Sequence, residues 1–241
     1  MTAPAFDTRA ASAPRLSILL VHGAFVDSSG WQPVRAQLVA HGFDVQAVQH
    51  PTLTLEGDTT STRRAIEAAR YPVLLVGHSY GGPVITQAGD HPNVKGLVYV
   101  AAFVPDVGES VAQLNDASAE EGESKAPVLP PQDGYLVVDT EQFPDAFAAD
   151  VDPATTRFMA AAELTWGLNA ATATITGAAW KTRPSIYLVA LADRMVPPSA
   201  QRCMAQRADA ALSEIDSSHA AMLSHPQEVA DFVAAAAATL A

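Results

Sequence analysis

The stretch Pro72-Val73-Leu74-Leu75-Val76-Gly77-His78-Ser79-Tyr80-Gly81-Gly82 decides the fold. Pro72–Val76 is a short, continuous apolar run, the pattern of a strand buried on both faces. From Tyr80 to Ala88 the pattern becomes helical at once, with no loop between. Ser79 must then stand on a sharp turn. Gly77 and Gly81 flank it because larger side chains would collide across that turn. Such a serine exposes its hydroxyl at a helix N-terminus, where backbone N–H groups face developing negative charge. Gly77-His78-Ser79-Tyr80-Gly81 therefore fits the G-x-S-x-G turn that presents a serine nucleophile.

The same strand–helix grammar extends outward. Ser17–Val21, Asp44–Val48, Gly96–Ala101, Ser185–Leu191 and the short Leu212–Ile215 read as further strands. Helical patterns follow at Trp31–Ala40, Thr60–Ala69, Ser199–Arg207 and Val229–Leu240, the last introduced by Pro226. This alternation implies an α/β chain with a mostly parallel sheet of about six strands and helices on both sides. It stops between Pro105 and Arg183, where an acidic, Pro-rich beginning gives way to helical Ala154–Leu164 and Ala170–Ala178. An insertion at the carboxyl end of a parallel strand lies over the place where such sheets bind ligands, so it reads as a lid. The domain expected is 15–241, carrying a lid at about 105–183, behind a flexible tail of residues 1–14.

A serine nucleophile needs a base and an acid that orients it, in the chain order Ser, acid, His. Asp193 follows the strand Ser185–Leu191, and His219 follows Leu212–Ile215 by a short loop. Both open toward the end of the sheet that carries Ser79. Asp106 or Glu109, one strand earlier, are alternatives for the acid, and His225 for the base. Two backbone donors are needed for an oxyanion. Tyr80 supplies one N–H, and Ala24, in the Val21-His22-Gly23-Ala24-Phe25 loop, supplies the other. His22 and His78 read as structural; His41, His50 and His91 carry no signal. Phe25, Tyr80, Phe158, Trp166 and Met195 are candidate walls of an apolar substrate pocket.

With these residues in view, the chain resembles serine hydrolases of the α/β-hydrolase superfamily. It is most similar in pattern to small single-domain esterases of the plant methylesterase and hydroxynitrile lyase-like group. The marks are Val-His-Gly-Ala (21–24), Gly-His-Ser-Tyr-Gly-Gly (77–82), the Asp193 loop and Ser-His-Ala (218–220), within about residues 16–240. The resemblance implies an eight-stranded core, of which this chain begins at the third strand. It also implies where the chain departs. Hydroxynitrile lyases of this type carry a hydroxyl residue and a Lys where Gly23 and Ala220 stand, so lyase chemistry is not expected. Relatives that displace alkyl groups use an Asp nucleophile; Ser79 points to acyl transfer.

Composition narrows the partners. Residues 105–153 hold twelve of the 26 acids and one of the 14 bases, so −11 of the net −12 falls there. No basic stripe exists for nucleic acid or for anionic membranes. One cysteine, Cys203, allows neither an internal disulfide nor a Cys-based metal site. No apolar run reaches membrane-spanning length. A cytoplasmic chain is expected, although a processed, exported chain reads the same way. The expectation is an enzyme without cofactor or metal that cleaves small neutral carboxylic esters through an acyl-enzyme, as monomer or homodimer. A slow-turnover ligand sensor on the same fold, and a lactonase or perhydrolase, are the alternatives.

Overall fold

In the computed structural model the described residues are 16–117 and 123–240; the tail expected at 1–14 lies outside them. The first half alternates β1 (Ser17–Val21), α1 (Gln32–Ala40), β2 (Asp44–Val48), α2 (Leu55–Ala68), β3 (Val73–His78), α3 (Gly81–Ala88) and β4 (Val94–Val100). Between β4 and the next long strand come α4 (Val111–Ala117), β5 (Tyr135–Leu136), α5 (Phe143–Phe147), α6 (Pro153–Ala161), β6 (Trp166–Gly167) and α7 (Leu168–Thr172). The chain closes with β7 (Ser185–Ala190), α8 (Pro198–Arg207), β8 (Ala211–Ile215), α9 (Ala221–Ser224) and α10 (Pro226–Thr239).

Six strands form one parallel sheet in the order β2-β1-β3-β4-β7-β8. Its make-up follows from burial. Every residue of β1 and β3 is buried, which is why those runs are apolar without alternation. β2 and β8 are edge strands, and β8 is largely exposed. Helices flank the sheet; α1 packs on α10 and α2 on α3. Strand order reverses between β1 and β3, where one connection runs out to β2 and the next crosses back. Loops leaving adjacent strands in opposite directions open a crevice at their carboxyl ends.

Each long element found from the pattern exists, with ends shifted by a few residues. Ala170–Ala178 departs further: α7 stops at Thr172. The Thr-rich stretch that follows is a poor helix former, and its backbone is engaged elsewhere. Gly108 N–H donates to Ile175 O, and Ile175 N–H donates to Glu109 O. The two-residue ladder of β5 and β6 was not expected from sequence; strands this short leave no periodicity to read.

The acidic segment is fastened to the body by polar contacts. Asp106 meets Lys181 at 2.5 Å, Glu109 meets Arg207 at 2.8 Å, and Glu123 accepts from Ser199. Asp150 accepts from the amide and hydroxyl of Ser218 at 3.0 and 2.5 Å. Among the described residues no helix is long and apolar enough to cross a membrane.

Candidate active site

Ser79 stands between β3 and α3 with φ 53°, in the left-handed region that an L-residue enters only when its surroundings hold it there. They do. Its N–H donates to Val100 O, and its carbonyl accepts from Gly82 and Phe103. A Cβ at Gly81 would lie 2.6 Å from Val21 O, and one at Gly77 would lie 2.7 Å from Gly81 O. Glycine is thus required on both sides of the turn.

Asp193 lies in the loop after β7 and is 5% exposed. Its Oδ1 accepts from the amides of Met195 and Val196 at 2.7 and 2.9 Å. Its Oδ2 accepts from Gln201 Nε2 at 2.8 Å and from His219 Nδ1 at 2.7 Å. A carboxylate can only accept, so His219 Nδ1 carries the proton of this bond, which leaves Nε2 as the basic nitrogen of the neutral ring. That Nε2 is buried and has no protein partner among the described residues. The His219 loop is held from two sides. His78, next to Ser79, donates from Nε2 to His219 O at 2.9 Å, and the edge of Phe147 packs on the ring at 4.8 Å.

Two other histidines stay neutral. Burial first, then His219, holds His78 well below the usual imidazole range. Burial and then His50 bring His22 down to about 4. Both therefore hold backbone and carry no charge near neutral pH. His78 serves the His219 carbonyl, while His22 donates from Nδ1 to Gly23 O at 2.8 Å.

A cavity of about 160 Å³ opens at Ser79. Ala24, Phe25, Tyr80, Phe103, Met195 and Val196 come to it from the sheet loops; Val111, Ala112, Asn115, Ala126, Val128, Leu136, Trp166 and Ala171 come from the segment between β4 and β7. Its walls are mostly apolar, and no described acidic side chain lies among them. The amides of Ala24 and Tyr80 donate to no protein acceptor among the described residues.

The structure therefore brings together Ser79, Tyr80, Ala24, Phe25, Trp166 and Met195 at one cavity, with the Asp193–His219 pair buried beside Ser79's neighbour His78. It excludes Phe158 from that cavity. α6 buries Thr156 and Ala160, one turn apart, and Phe158 falls on the opposite face, 72% exposed along a separate surface groove. Asp106 and Glu109 are engaged by Lys181 and Arg207, and His225 lies at the start of α10 beside Ser224 and Asp150. The reading of His50 as a turn residue without signal needs correction: it is buried and stacked on His22 at 3.9 Å. Asp58 and Gln201 were also missed. Each occupies the first turn of a helix, an ordinary place for a polar residue, so only burial distinguishes them.

The geometry defines a doubly wound α/β protein with a serine turn at its switch point. The chain belongs to the alpha/beta hydrolase family, whose model matches residues 18–232. It is 32% identical over 150 residues to the probable hydrolase R7 of a Phoma species and 36% identical over 112 residues to the carbendazim hydrolyzing esterase of a Nocardioides species. Those stretches cover 56% and 41% of this chain, and 59% and 46% of the two relatives. Among solved structures, a pyrethroid hydrolase from Sphingobium faniae superposes with TM-score 0.77 at 24% identity, over 92% of this chain and 97% of that one. A methylesterase from Arabidopsis does so with TM-score 0.77 at 18% identity, over 93% and 100%. The expected resemblance to plant methylesterases thus holds at the level of fold.

Proposed function

We propose that the protein is a serine esterase acting on small, neutral carboxylic esters. The observation that carries this reading is the pairing of a left-handed Ser79 with a buried His219–Asp193 dyad whose Nε2 lone pair is unused. Ser79 Oγ attacks the ester carbonyl, and His219 Nε2 takes its proton as the C–O bond forms. The charge on the carbonyl oxygen is met by the amides of Ala24 and Tyr80. Asp193 keeps His219 in the Nδ1–H tautomer and stabilises the imidazolium. His219 then gives its proton to the departing alkoxide, leaving an acyl-Ser79. Water repeats the sequence: His219 takes its proton, the acid leaves, and Ser79 regains its hydrogen. His219 Nε2 has no protein partner among the described residues, and the Ser79–His219 hydrogen bond forms in the substrate complex, where catalytic hydrogen bonds commonly close.

The cavity supports the substrate class. At about 160 Å³ it resembles in size an apolar cavity that admits benzene. That suits an acyl or alcohol part of roughly one ring, with no charge to meet. The acidic segment acts as a lid: its apolar residues roof the cavity while none of its described carboxylates lines it. The names of two relatives, a carbendazim hydrolyzing esterase and a pyrethroid hydrolase, support hydrolysis.

The test is hydrolysis of p-nitrophenyl acetate, butyrate and benzoate by wild type and Ser79→Ala, with fluorophosphonate labelling located by mass spectrometry. The expected label is on Ser79 alone, with Ser79→Ala losing at least about 10⁴-fold in kcat. Equal activity in both proteins, or labelling elsewhere, overturns the proposal.

A further inference from the structure

Asp58 is a buried carboxylate that the chemistry above leaves unused. It lies in the first turn of α2 and is 0% exposed. A polar group so buried persists only where it is hydrogen-bonded. Asp58 Oδ2 accepts from the Tyr80 phenol at 2.6 Å. Oδ1 accepts from the Thr52 amide at 3.0 Å and lies 3.3 Å from His50 Nδ1. Burial and the Asp58 carboxylate together push the Tyr80 phenol far up, so it remains a donor.

These contacts lead to three segments around the cavity. Tyr80 carries one of the two free amides. His50 donates from Nε2 to His22 O at 3.1 Å, and its own amide donates to His22 Nε2 at 3.4 Å. His22 grips Gly23 O, one residue before Ala24, the other free amide. Thr52, at φ 58°, accepts from the amide of Gly167 at 2.9 Å, beside the wall residue Trp166. That junction has no slack, because a Cβ at Gly167 would lie 2.1 Å from Leu53 O.

We infer that Asp58 is a positioning residue that sets the spacing of the two oxyanion donors and ties the Trp166 wall to them. Through Tyr80 it fixes the donor after β3. Through the Thr52 amide it holds the segment that carries His50, and His50 in turn holds His22 and the donor after β1. An oxyanion hole works only when its donors are held where the negative oxygen will be, so loosening this tie acts on the transition state more than on substrate binding. This role rests on the proposed ester hydrolysis.

The experiment compares wild type, Asp58→Asn, Tyr80→Phe and the double variant, with Val34→Ala in α1 as a control that loses stability away from the cavity. Fluorophosphonate titration counts the folded sites, and kcat is expressed per titrated site. Inhibition by a trifluoromethyl ketone, which forms a tetrahedral oxyanion, is measured in parallel. Asp58→Asn is expected to lower kcat about ten- to hundredfold, with KM changed less than about threefold. Affinity for the ketone falls by the same factor. Tyr80→Phe gives a similar loss, and the double variant loses less than the product of the two. If Asp58→Asn does not fold, Tyr80→Phe is judged by the same criteria. Lowered Tm with unchanged kcat per site and unchanged ketone affinity, as expected of Val34→Ala, overturns the assignment. Wild type that neither titrates at Ser79 nor cleaves esters defeats the esterase proposal instead, so the two failures are distinct.

Discussion

Replacing Asp193 by Asn exchanges one oxygen for an NH2 group and leaves the shape unchanged. The wild-type carboxylate accepts four hydrogen bonds, two at each oxygen. An amide has one oxygen and two donor hydrogens, so half of these contacts must become donor against donor. The amides of Met195 and Val196 cannot turn away, since they are backbone. Gln201 is fixed as well: it accepts from Ala190 N and donates to Val196 O. His219 is the group free to adapt, because its Nε2 has no partner. The Asn oxygen therefore stays with the two amides, and His219 shifts its proton from Nδ1 to Nε2 to accept from the new NH2. A histidine protonated on Nε2 cannot take the Ser79 proton. The expected loss is about 10⁴-fold in kcat, or about 5.5 kcal/mol of barrier. Losing charge-assisted bonds at Oδ2 also removes about 2–4 kcal/mol of stability. Stopped assays with p-nitrophenyl butyrate and urea unfolding measure the two effects separately. A kcat within tenfold of wild type at pH 7 refutes this account of the dyad.

Three further outcomes are expected. Gly81→Ala places a methyl group against Val21 O and His22 O, so urea unfolding should show a loss of about 1–3 kcal/mol, with reduced kcat in the folded protein; an unchanged protein would show that the turn has room. Glu163 is raised from 4.5 to about 7, chiefly by burial, although the Val138 amide pulls it the other way. Between those values the folded chain binds more protons than the unfolded one, so stability falls as pH rises through this range. Glu163→Gln should flatten that part of the Tm–pH curve, and an unaltered slope would locate the effect elsewhere. Trp166→Ala should change kcat/KM for aromatic esters about tenfold or more, whereas Phe158→Ser, on the outer face of α6, should stay within about twofold; equal effects would return Phe158 to the cavity.

Local physics explains what could be read from the chain. The central strands β1, β3, β4 and β7 are legible because a strand buried on both faces must be apolar nearly throughout, and this needs no knowledge of its neighbours. Ser79, Asp193 and His219 are legible because each closely follows a strand, and parallel strands bring their carboxyl ends to one side. Phe158 shows where such reasoning stops. Its helix presents Thr156 and Ala160 inward, and an aromatic residue marks no direction by itself. The acidic run is similar. Its charge is plain in composition, but four of its described carboxylates, Asp106, Glu109, Glu123 and Asp150, meet Lys181, Arg207, Ser199 and Ser218, and no described carboxylate of the run lines the cavity.

By itself, then, the sequence determined the order of strands and helices, the serine turn and the positions of Asp193 and His219 after later strands, because these depend on neighbours along the chain and on period. Only the tertiary structure decided which aromatic residues face the cavity and that His50, Asp58 and Tyr80 form one buried connection. Those contacts join residues 22, 50, 58 and 80, which lie in α2 and in the connections after β1, β2 and β3. Their distances are set by how α2 packs beside the sheet, and no pattern within any one segment encodes that angle.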